Sequence, residues 1–259
     1  MKIYTLLENT TCRENLAAEH GLSLYIETGS HNILFDTGQT GAFADNAEKM
    51  GVDLKNVDMV ILSHGHYDHG GGLKRFLEIN QTAPVYLSHH AFRACYSSGK
   101  YIGLDSGLQT SSRLIPVDDH LDVDTGISLF SCNGLERPYI AGTFGQTVLE
   151  EGIHLPDDYR HEQYLLVEEA GKKYLFSGCS HKGMLNILHW FHPDVFFGGF
   201  HFIRIDPASP DLENAAKFLA ACETRYFTGH CTGMEQFHAM QKILGSRLQY
   251  IAAGSEISL

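Results

Sequence analysis

The sequence contains no run of about eighteen apolar residues, which excludes a membrane-spanning helix. It has no Cys-x-x-Cys pair either. Its six cysteines (Cys12, Cys95, Cys132, Cys179, Cys222 and Cys231) are scattered along the chain. Such spacing argues against a disulfide framework and fits a reducing compartment. Positive charge is scarce: 19 Lys and Arg stand against 31 Asp and Glu, for a formal net charge of −12 with neutral histidines. A nucleic-acid partner needs a basic footprint, so none is expected. The opening stretch Met1–Leu7 enters a strand-like pattern at once, without a charged-then-apolar leader, and a cytoplasmic, membrane-free protein is expected. At 259 residues the chain can bury a large core in one or two domains.

What the chain has instead is histidine, concentrated in one place. Ser63-His64-Gly65-His66-Tyr67-Asp68-His69-Gly70-Gly71-Gly72 puts three histidines and a carboxylate within six residues. The apolar run Val57–Leu62 before it reads as a buried strand. His64 and His66 are two apart, so on extended backbone they leave the same face and can converge on one ion, while Asp68 and His69 follow in the turn. Imidazole and carboxylate suit zinc, manganese or iron(II), and four such groups can begin two adjacent sites. The glycines that follow let the backbone pass close to the metals before a helix starts at Leu73.

Elsewhere the elements alternate. Leu22–Glu27 and Asn32–Phe35 read as a hairpin, Ala42–Met50 as a helix closed by Gly51, and Pro84–Leu87 as a strand. A helix is expected near Ala91–Cys95. From about 97 to 156 the signals weaken amid Gly, Ser and aromatics, and a lid-like insertion covering the site is expected. Gln163–Val167 and Lys172–Phe176 read as a hairpin, Met184–Phe191 as a helix and Val195–Phe197 as a buried strand. Ser209 and Pro210 open a helix to Cys222. Thr232 and Glu235 form a capping box for a helix reaching Leu244, and Gln249–Ala252 is a last strand. The two halves echo one another: a hairpin strand leads through a helix to a strand ending at His64 in the first and at His201 in the second. Two α/β halves packed sheet to sheet would bring both sets of strand ends to one edge.

The His-x-His-x-Asp-His pattern after a hydrophobic strand resembles the signature of the metallo-β-lactamase superfamily of metal-dependent hydrolases. Leu34-Phe35-Asp36-Thr37-Gly38, Ser177-Gly178-Cys179-Ser180-His181, Gly198-Gly199-Phe200-His201 and Thr228-Gly229-His230-Cys231-Thr232-Gly233 extend the likeness. That set is similar to the branch named for the dihydropterin–ribofuranosylaminobenzene-phosphate synthase. The resemblance implies an α/β fold, a single αββα sandwich over residues 1–259 with two mixed sheets face to face and helices outside. It also implies one or two divalent metal ions, zinc above all, with manganese or iron as alternatives.

By the same resemblance His64 and His66 match first-site ligands, Asp68 and His69 second-site ligands, and His230 the last histidine of site two. Where the common hydrolases carry a bridging aspartate, this chain has Gly178-Cys179. Cys179 could bind as thiolate, steady a ligand or simply be a small buried hydrophobe, and His181 could reach the first ion; His181 is the preferred ligand. His161 is the nearby candidate for the remaining histidine motif, although its polar run equally suits a solvated turn, and it is grouped with Cys179 and His201 as residues that contact substrate or support the ligands. Asp68 is assigned the catalytic role of ligating one ion and orienting the nucleophile. His20, His31, His120, His154, His189, His192 and His238 have no supporting context, and His89 and His90 are read as structural. The leading functional reading is hydrolysis of an ester, amide or phosphoester of a small metabolite by a metal-bound hydroxide. The alternative is a transferase condensing a dihydropterin diphosphate with an aminobenzene ribose phosphate, for which Arg93, Lys100, Lys182 and Arg204 are the available phosphate donors. A diiron oxidoreductase would carry Glu at the place of His66, and a true β-lactamase would lack His69. The sequence allows a homo-oligomer without specifying one.

Overall fold

A computed structural model describes residues 1–259, and strands account for most of its regular elements. The first sheet is built from β1 (Lys2–Leu7), β2 (Ser23–Glu27), β3 (Asn32–Phe35), β4 (Met59–Ile61) and β5 (Val85–Ser88). A small sheet follows from β6 (Ala94–Ser97) and β7 (Lys100–Tyr101), before β8 (Leu114–Val117) rejoins the first sheet beside β5. The second sheet takes β9 (His120–Asp124) and β10 (Ile127–Phe130), then β13 (Tyr164–Glu169), β14 (Lys172–Phe176), β15 (Val195–Phe197), β16 (Arg225–Thr228) and β17 (Leu248–Tyr250). Between them β11 (Gln146–Glu150) and β12 (Ile153–Pro156) complete the small sheet, and β18 (Glu256–Ser258) closes the first sheet against β1. Helices α1 (Ala42–Met50), the single turn α2 (Tyr67–Gly70) and α3 (Leu73–Ile79) belong to the first half; α4 (Met184–Phe191), α5 (Pro210–Ala221) and α6 (Met234–Leu244) belong to the second.

The architecture is the αββα sandwich. One apolar cluster, including Ile33, Ile61, Leu129, Leu165 and Val195, lies between the two sheets; a second packs α1 and α3 on the first sheet, and a third packs α4, α5 and α6 on the other. Strands β3–β4–β5 and β14–β15–β16 run parallel in the middle of their sheets, joined by helical crossovers, so the echo between the halves is a repeat of strand, helix and strand. Phe176, Phe197 and Phe227 occupy register positions at the ends of three neighbouring strands, and their rings stack at 5.1 and 4.6 Å between centroids. Phe35, at the end of β3, meets Phe176 across the sandwich at 5.9 Å. Phe35, Phe176 and Phe197 end their strands and Phe227 stands one residue before the end of β16, each ahead of a loop that carries a site residue. This row fixes where those loops begin, because shifting any strand by one residue would turn its phenylalanine out of the core.

Several expectations need correction. Residues 91–95 do not form a helix: Ala94–Ser97 is strand β6, paired antiparallel with β11. The segment from 97 to 156 is not one irregular lid. β8 extends the first sheet, β9 and β10 extend the second, and only the small sheet and its connections stand apart. Its strands are short and partly exposed on both faces, with β12 exposed at every position, so the alternation that betrays a half-buried strand is missing. The capping box on α6 does not form, since the Thr232 hydroxyl instead accepts the Phe200 amide at 2.9 Å and Gly233 begins the helix. The strand expected last, at Gln249–Ala252, is β17 at Leu248–Tyr250, and the chain ends with a further strand, β18.

The glycines after the histidine cluster serve packing against protein backbone. A Cβ on Gly71 would lie 2.2 Å from the Gln39 carbonyl oxygen, and one on Gly72 would lie 2.2 Å from that of Thr37. They let the cluster pack directly on the loop that follows β3.

Candidate metal centre

The loops at the carboxyl ends of the central strands meet along one edge of the sandwich. β4 delivers His64 and His66, the turn α2 adds Asp68 and His69, β14 leads to Cys179 and His181, β15 to His201, and β16 to His230. Asp36, Ser180, His201 and His230 all have left-handed backbone, with φ of 60°, 60°, 57° and 51°. A side chain in that conformation costs about 1 kcal/mol or more, and its concentration at strand ends is typical of functional loops.

Six of the sequence-predicted residues come together in two groups. In the first, the His64 and His181 Nε2 atoms are 3.3 Å apart, and the His66 ring packs against both rings at centroid distances of 4.6 and 4.9 Å. In the second, His69 and His230 Nε2 are 3.2 Å apart, with the Asp68 carboxylate 3.3 Å from His230 Nε2. Cys179 belongs to both. Its Sγ lies 3.3 Å from His69 Nε2, and it falls within 4.8 Å of the donor atoms of His64 and His181 on one side and of His69 and His230 on the other. The thiol therefore stands between the groups, where a bridging carboxylate was missed in the sequence.

The proton positions follow from the neighbours. Asp36 is fully buried and can only accept, so His69 carries its proton on Nδ1, 2.6 Å from the carboxylate. Ser63 Oγ donates to the same carboxylate at 2.7 Å and accepts from His64 Nδ1 at 2.8 Å. Asn9 Oδ1 receives the Gly21 amide at 3.2 Å and so also receives His230 Nδ1 at 2.8 Å. The Nε2 lone pairs of His64, His69 and His230 are thereby turned into the site. Between His69 and His230 two lone pairs face each other beside a carboxylate, an arrangement that calls for a cation. His66 Nε2 and His181 Nδ1 are buried without a hydrogen-bond partner. Imidazole nitrogen, one carboxylate and one thiol form a donor set suited to zinc, and the residues present fit one or two such ions.

Burial governs the titration of the cluster. It drives His64 and His181 well below the usual imidazole range, helped by their histidine neighbours, and lowers His66 to about 3. Burial also lowers His230 to about 4 despite Asp68, and His201 to about 4. For His69 burial is outweighed by Asp36 and Asp68, and its pKa is raised. Asp68 is held well below the carboxylate range because His69, His20 and His230 overcome the burial cost. The Cys179 thiol is pushed well up by burial and by Cys231. In metal-free protein these shifts make a pH-dependent stability. The unfolded chain would protonate His64, His66, His181, His201 and His230 at about 6.5 while the folded state keeps them neutral, so the unfolded state binds more protons below that value. Stability is complete above about pH 6.5 and falls as pH drops toward 4, with His69 offsetting part of the loss. Melting temperatures in the presence of a chelator, taken from pH 7.5 to pH 5, should decline steadily; a flat profile would remove the electrostatic account.

The structure departs from the predicted roles at several residues. His161 is fully buried and is not among the residues lining the cavity: Nδ1 accepts the Gly65 amide at 3.1 Å and Nε2 meets Asp157 at 3.1 Å, so of its two expected roles it takes the one that supports the histidine loop. His201 lines the cavity, its ring 4.3 Å from that of His181. Lys182, counted among possible phosphate donors, is buried with Nζ on the carbonyls of Ser131 and Glu162, and Arg93 is engaged by Glu150, Asp157 and Asp158. Arg204 lines the cavity and Lys100 does not.

His20 was missed. Its Nε2 lies 3.2 Å from Asp68 Oδ2, and its ring packs on His230 at 4.7 Å. It sits in an irregular loop held by long-range bonds such as Leu22 amide to Asp68 carbonyl, so no local pattern marked it. Asp36 and Glu162 were missed as supports. Glu162 receives the amides of His181 and Lys182 at 2.6 and 3.0 Å, fixing the loop that presents His181.

The groups open onto a cavity of about 200 Å³ walled by Tyr67, Ile102, Phe144, Ile203 and Arg204. Two sheets that converge strand-end histidines, a carboxylate and a thiol on such a cavity define a scaffold with the donor groups to hold metal ions. The family model described as the metallo-beta-lactamase superfamily matches residues 17–230, and the chain belongs to that superfamily, which consists generally of metal-dependent hydrolases. It is similar to the crystal structure of Tm1679, a metal-dependent hydrolase of the beta-lactamase superfamily, with a TM-score of 0.86 and 27% identity over 100% of this chain and 99% of that one. It is also 26% identical over 247 residues to an uncharacterised protein of Methanocaldococcus jannaschii, covering 92% of each chain. A third relative is the 7,8-dihydropterin-6-methyl-4-(beta-D-ribofuranosyl)-aminobenzene-5'-phosphate synthase of the same organism, 26% identical over 291 residues, covering 99% of this chain and 96% of that protein. No helix in the structure is long and apolar enough to cross a membrane.

Proposed function

We propose that this protein is a metal-dependent hydrolase acting on an ester, amide or phosphoester bond of a small metabolite. The carrying observation is the pair of converging groups, in which hydrogen bonds at Nδ1 of His64, His69 and His230 aim three Nε2 lone pairs inward. His64, His66 and His181 would hold one zinc ion, Asp68, His69 and His230 a second, and Cys179 would serve both. Zinc bound there would lower the pKa of a water molecule and polarise the scissile carbonyl or phosphoryl oxygen.

The chain's own part is positioning. Asp36 locks His69 and, through Ser63, His64. Asp68, ionised and within reach of both His20 and His230, sits where a nucleophile can be oriented. Phe144 and Ile203 cover one side and limit water, while Arg204 offers an anionic substrate its charge. The relative named as a synthase supports a second reading, carbon–nitrogen bond formation with loss of diphosphate. With Lys182 and Arg93 engaged elsewhere, Arg204 is the cavity's only Lys or Arg for such a leaving group, which favours hydrolysis.

Metal analysis of purified protein should give at least one ion per chain, reduced in the His64→Ala variant. A screen with phosphodiester, lactone, thioester and β-lactam substrates, run beside a search for coupled pterin product, should show turnover in one hydrolytic class. Less than one ion per chain with His64→Ala unchanged would remove the metal reading, and coupled product alone would replace hydrolysis by transfer.

A further inference from the structure

Beside the metal centre lies a second cavity of about 100 Å³, and its chemistry is different. Nine of its fourteen lining residues are hydrophobic, among them Tyr139, Phe144, Met184, Phe200 and Phe202. The only histidines in its wall are His181 and His201, which together with Phe144 also line the cavity at the metal centre. The two spaces therefore adjoin across three side chains. Phe144 packs on His201 at 5.1 Å and His201 on His181 at 4.3 Å, so the partition is a short row of rings.

Phe144 has φ of 51° and precedes Gly145 at 81°, two left-handed positions in succession. The Arg204 guanidinium donates to its carbonyl at 2.6 Å, tying this turn to the wall of the metal cavity. Tyr139 is anchored from the other side, its amide and carbonyl both bonded to the buried Asn186 amide group at 2.9 and 2.8 Å. The side cavity is thus framed by fixed anchors at Asn186 and Arg204, with an aromatic lining between them. Pockets of this kind hold the non-reacting part of a ligand while a few polar groups orient its reacting part.

We infer that the side cavity binds a single aromatic ring carried by the same substrate whose scissile group lies at the metal centre, so that the substrate class is arylmethyl or similarly aryl-bearing esters and phosphoesters. The inference rests on the metal-centre reading above. The size limits the guest to one ring: an engineered apolar cavity of about 150 Å³ takes up benzene, and the space here, about 100 Å³, is two thirds of that and shares three side chains of its wall with the reaction cavity. The lining suits it as well, because Tyr139, Phe144, Phe200 and Phe202 can offer ring edges and faces to a planar guest.

The test is equilibrium binding of two small anions to zinc-loaded protein, methylphosphonate and benzylphosphonate, measured by calorimetry. Both should bind through the phosphonate, and the benzyl compound should bind at least tenfold tighter, a part of what complete burial of a ring supplies. Ala141 is an exposed loop residue in the wall of the side cavity, so Ala141→Trp adds bulk at that wall while altering neither a metal ligand nor a core residue. That variant should keep its zinc content and its methylphosphonate affinity while losing the benzyl preference. Equal binding of the two anions to the unaltered protein overturns the aromatic subsite and leaves the metal reading standing, as does a benzyl preference that survives Ala141→Trp. Failure of both anions to bind zinc-loaded protein overturns the subsite together with the reading on which it rests.

Discussion

In cobalt-substituted protein, Cys179→Ala is expected to lose the near-ultraviolet thiolate-to-metal charge-transfer band and to retain fewer ions per chain than the unaltered protein. The reason is position. Cys179 alone is shared by both donor groups, with its Sγ 3.3 Å from His69 Nε2. Without metal its thiol is pushed well above the ordinary range by burial and by Cys231, so it would enter coordination by releasing a proton. Catalytic activity should fall at least about ten- to a hundredfold, the range for losing a group that merely supports a metal ligand. Cys179→Asp, which restores the usual bridging carboxylate, should recover both ions without the charge-transfer band. If Cys179→Ala keeps its full metal content and an unchanged cobalt spectrum, the cysteine is a packing residue and the two groups do not share it.

Asp36→Ala should be the most damaging substitution outside the ligand set. The carboxylate is fully buried and accepts three bonds, from His69 Nδ1 at 2.6 Å and from the Ser63 amide and hydroxyl at 2.7 Å each. Removing it leaves an imidazole N–H, an amide N–H and a hydroxyl O–H buried without their acceptor, and each such orphaned donor costs about 1–3 kcal/mol. A total loss of roughly 3 kcal/mol or more is expected, read as a lowered denaturation midpoint. Zinc affinity should fall between about ten- and a hundredfold because the tautomers of His69 and His64 are no longer fixed. The variant Asp36→Asn separates the two effects: its side-chain oxygen can still accept from His69, so stability should recover more than zinc affinity. Equal zinc affinity in all three proteins would show that Asp36 acts on folding alone.

Much of the fold was legible because its evidence is local. The hairpins at β2–β3 and β13–β14, the helix closed by Gly51 in left-handed conformation and the helix opened by Ser209 and Pro210 each follow from residues within a few positions of one another. Ser209 Oγ does accept the Leu212 amide at 3.2 Å. The capping box at Thr232 failed for a nonlocal reason, since a buried hydroxyl was claimed by Thr228 and the Phe200 amide from another strand end. The same reason explains the region from 97 to 156, where strands find their partners through long-range register rather than through hydrophobic alternation.

By itself the sequence determined the chemistry available: a His-x-His-x-Asp-His cluster after a buried strand, with His181 and His230 on later glycine turns and a cysteine where a carboxylate would stand. Side-chain type and spacing within a turn are properties of the chain alone. Only the tertiary structure decided that Cys179 lies between two donor groups, that Asp36 orients two of the histidines, that His161 is a brace and that His20 reaches Asp68. Those facts depend on where the two sheets bring their strand ends, and that is set by the phenylalanine row packed between them. Residues more than a hundred positions apart become neighbours through packing, for which no local pattern carries a signal.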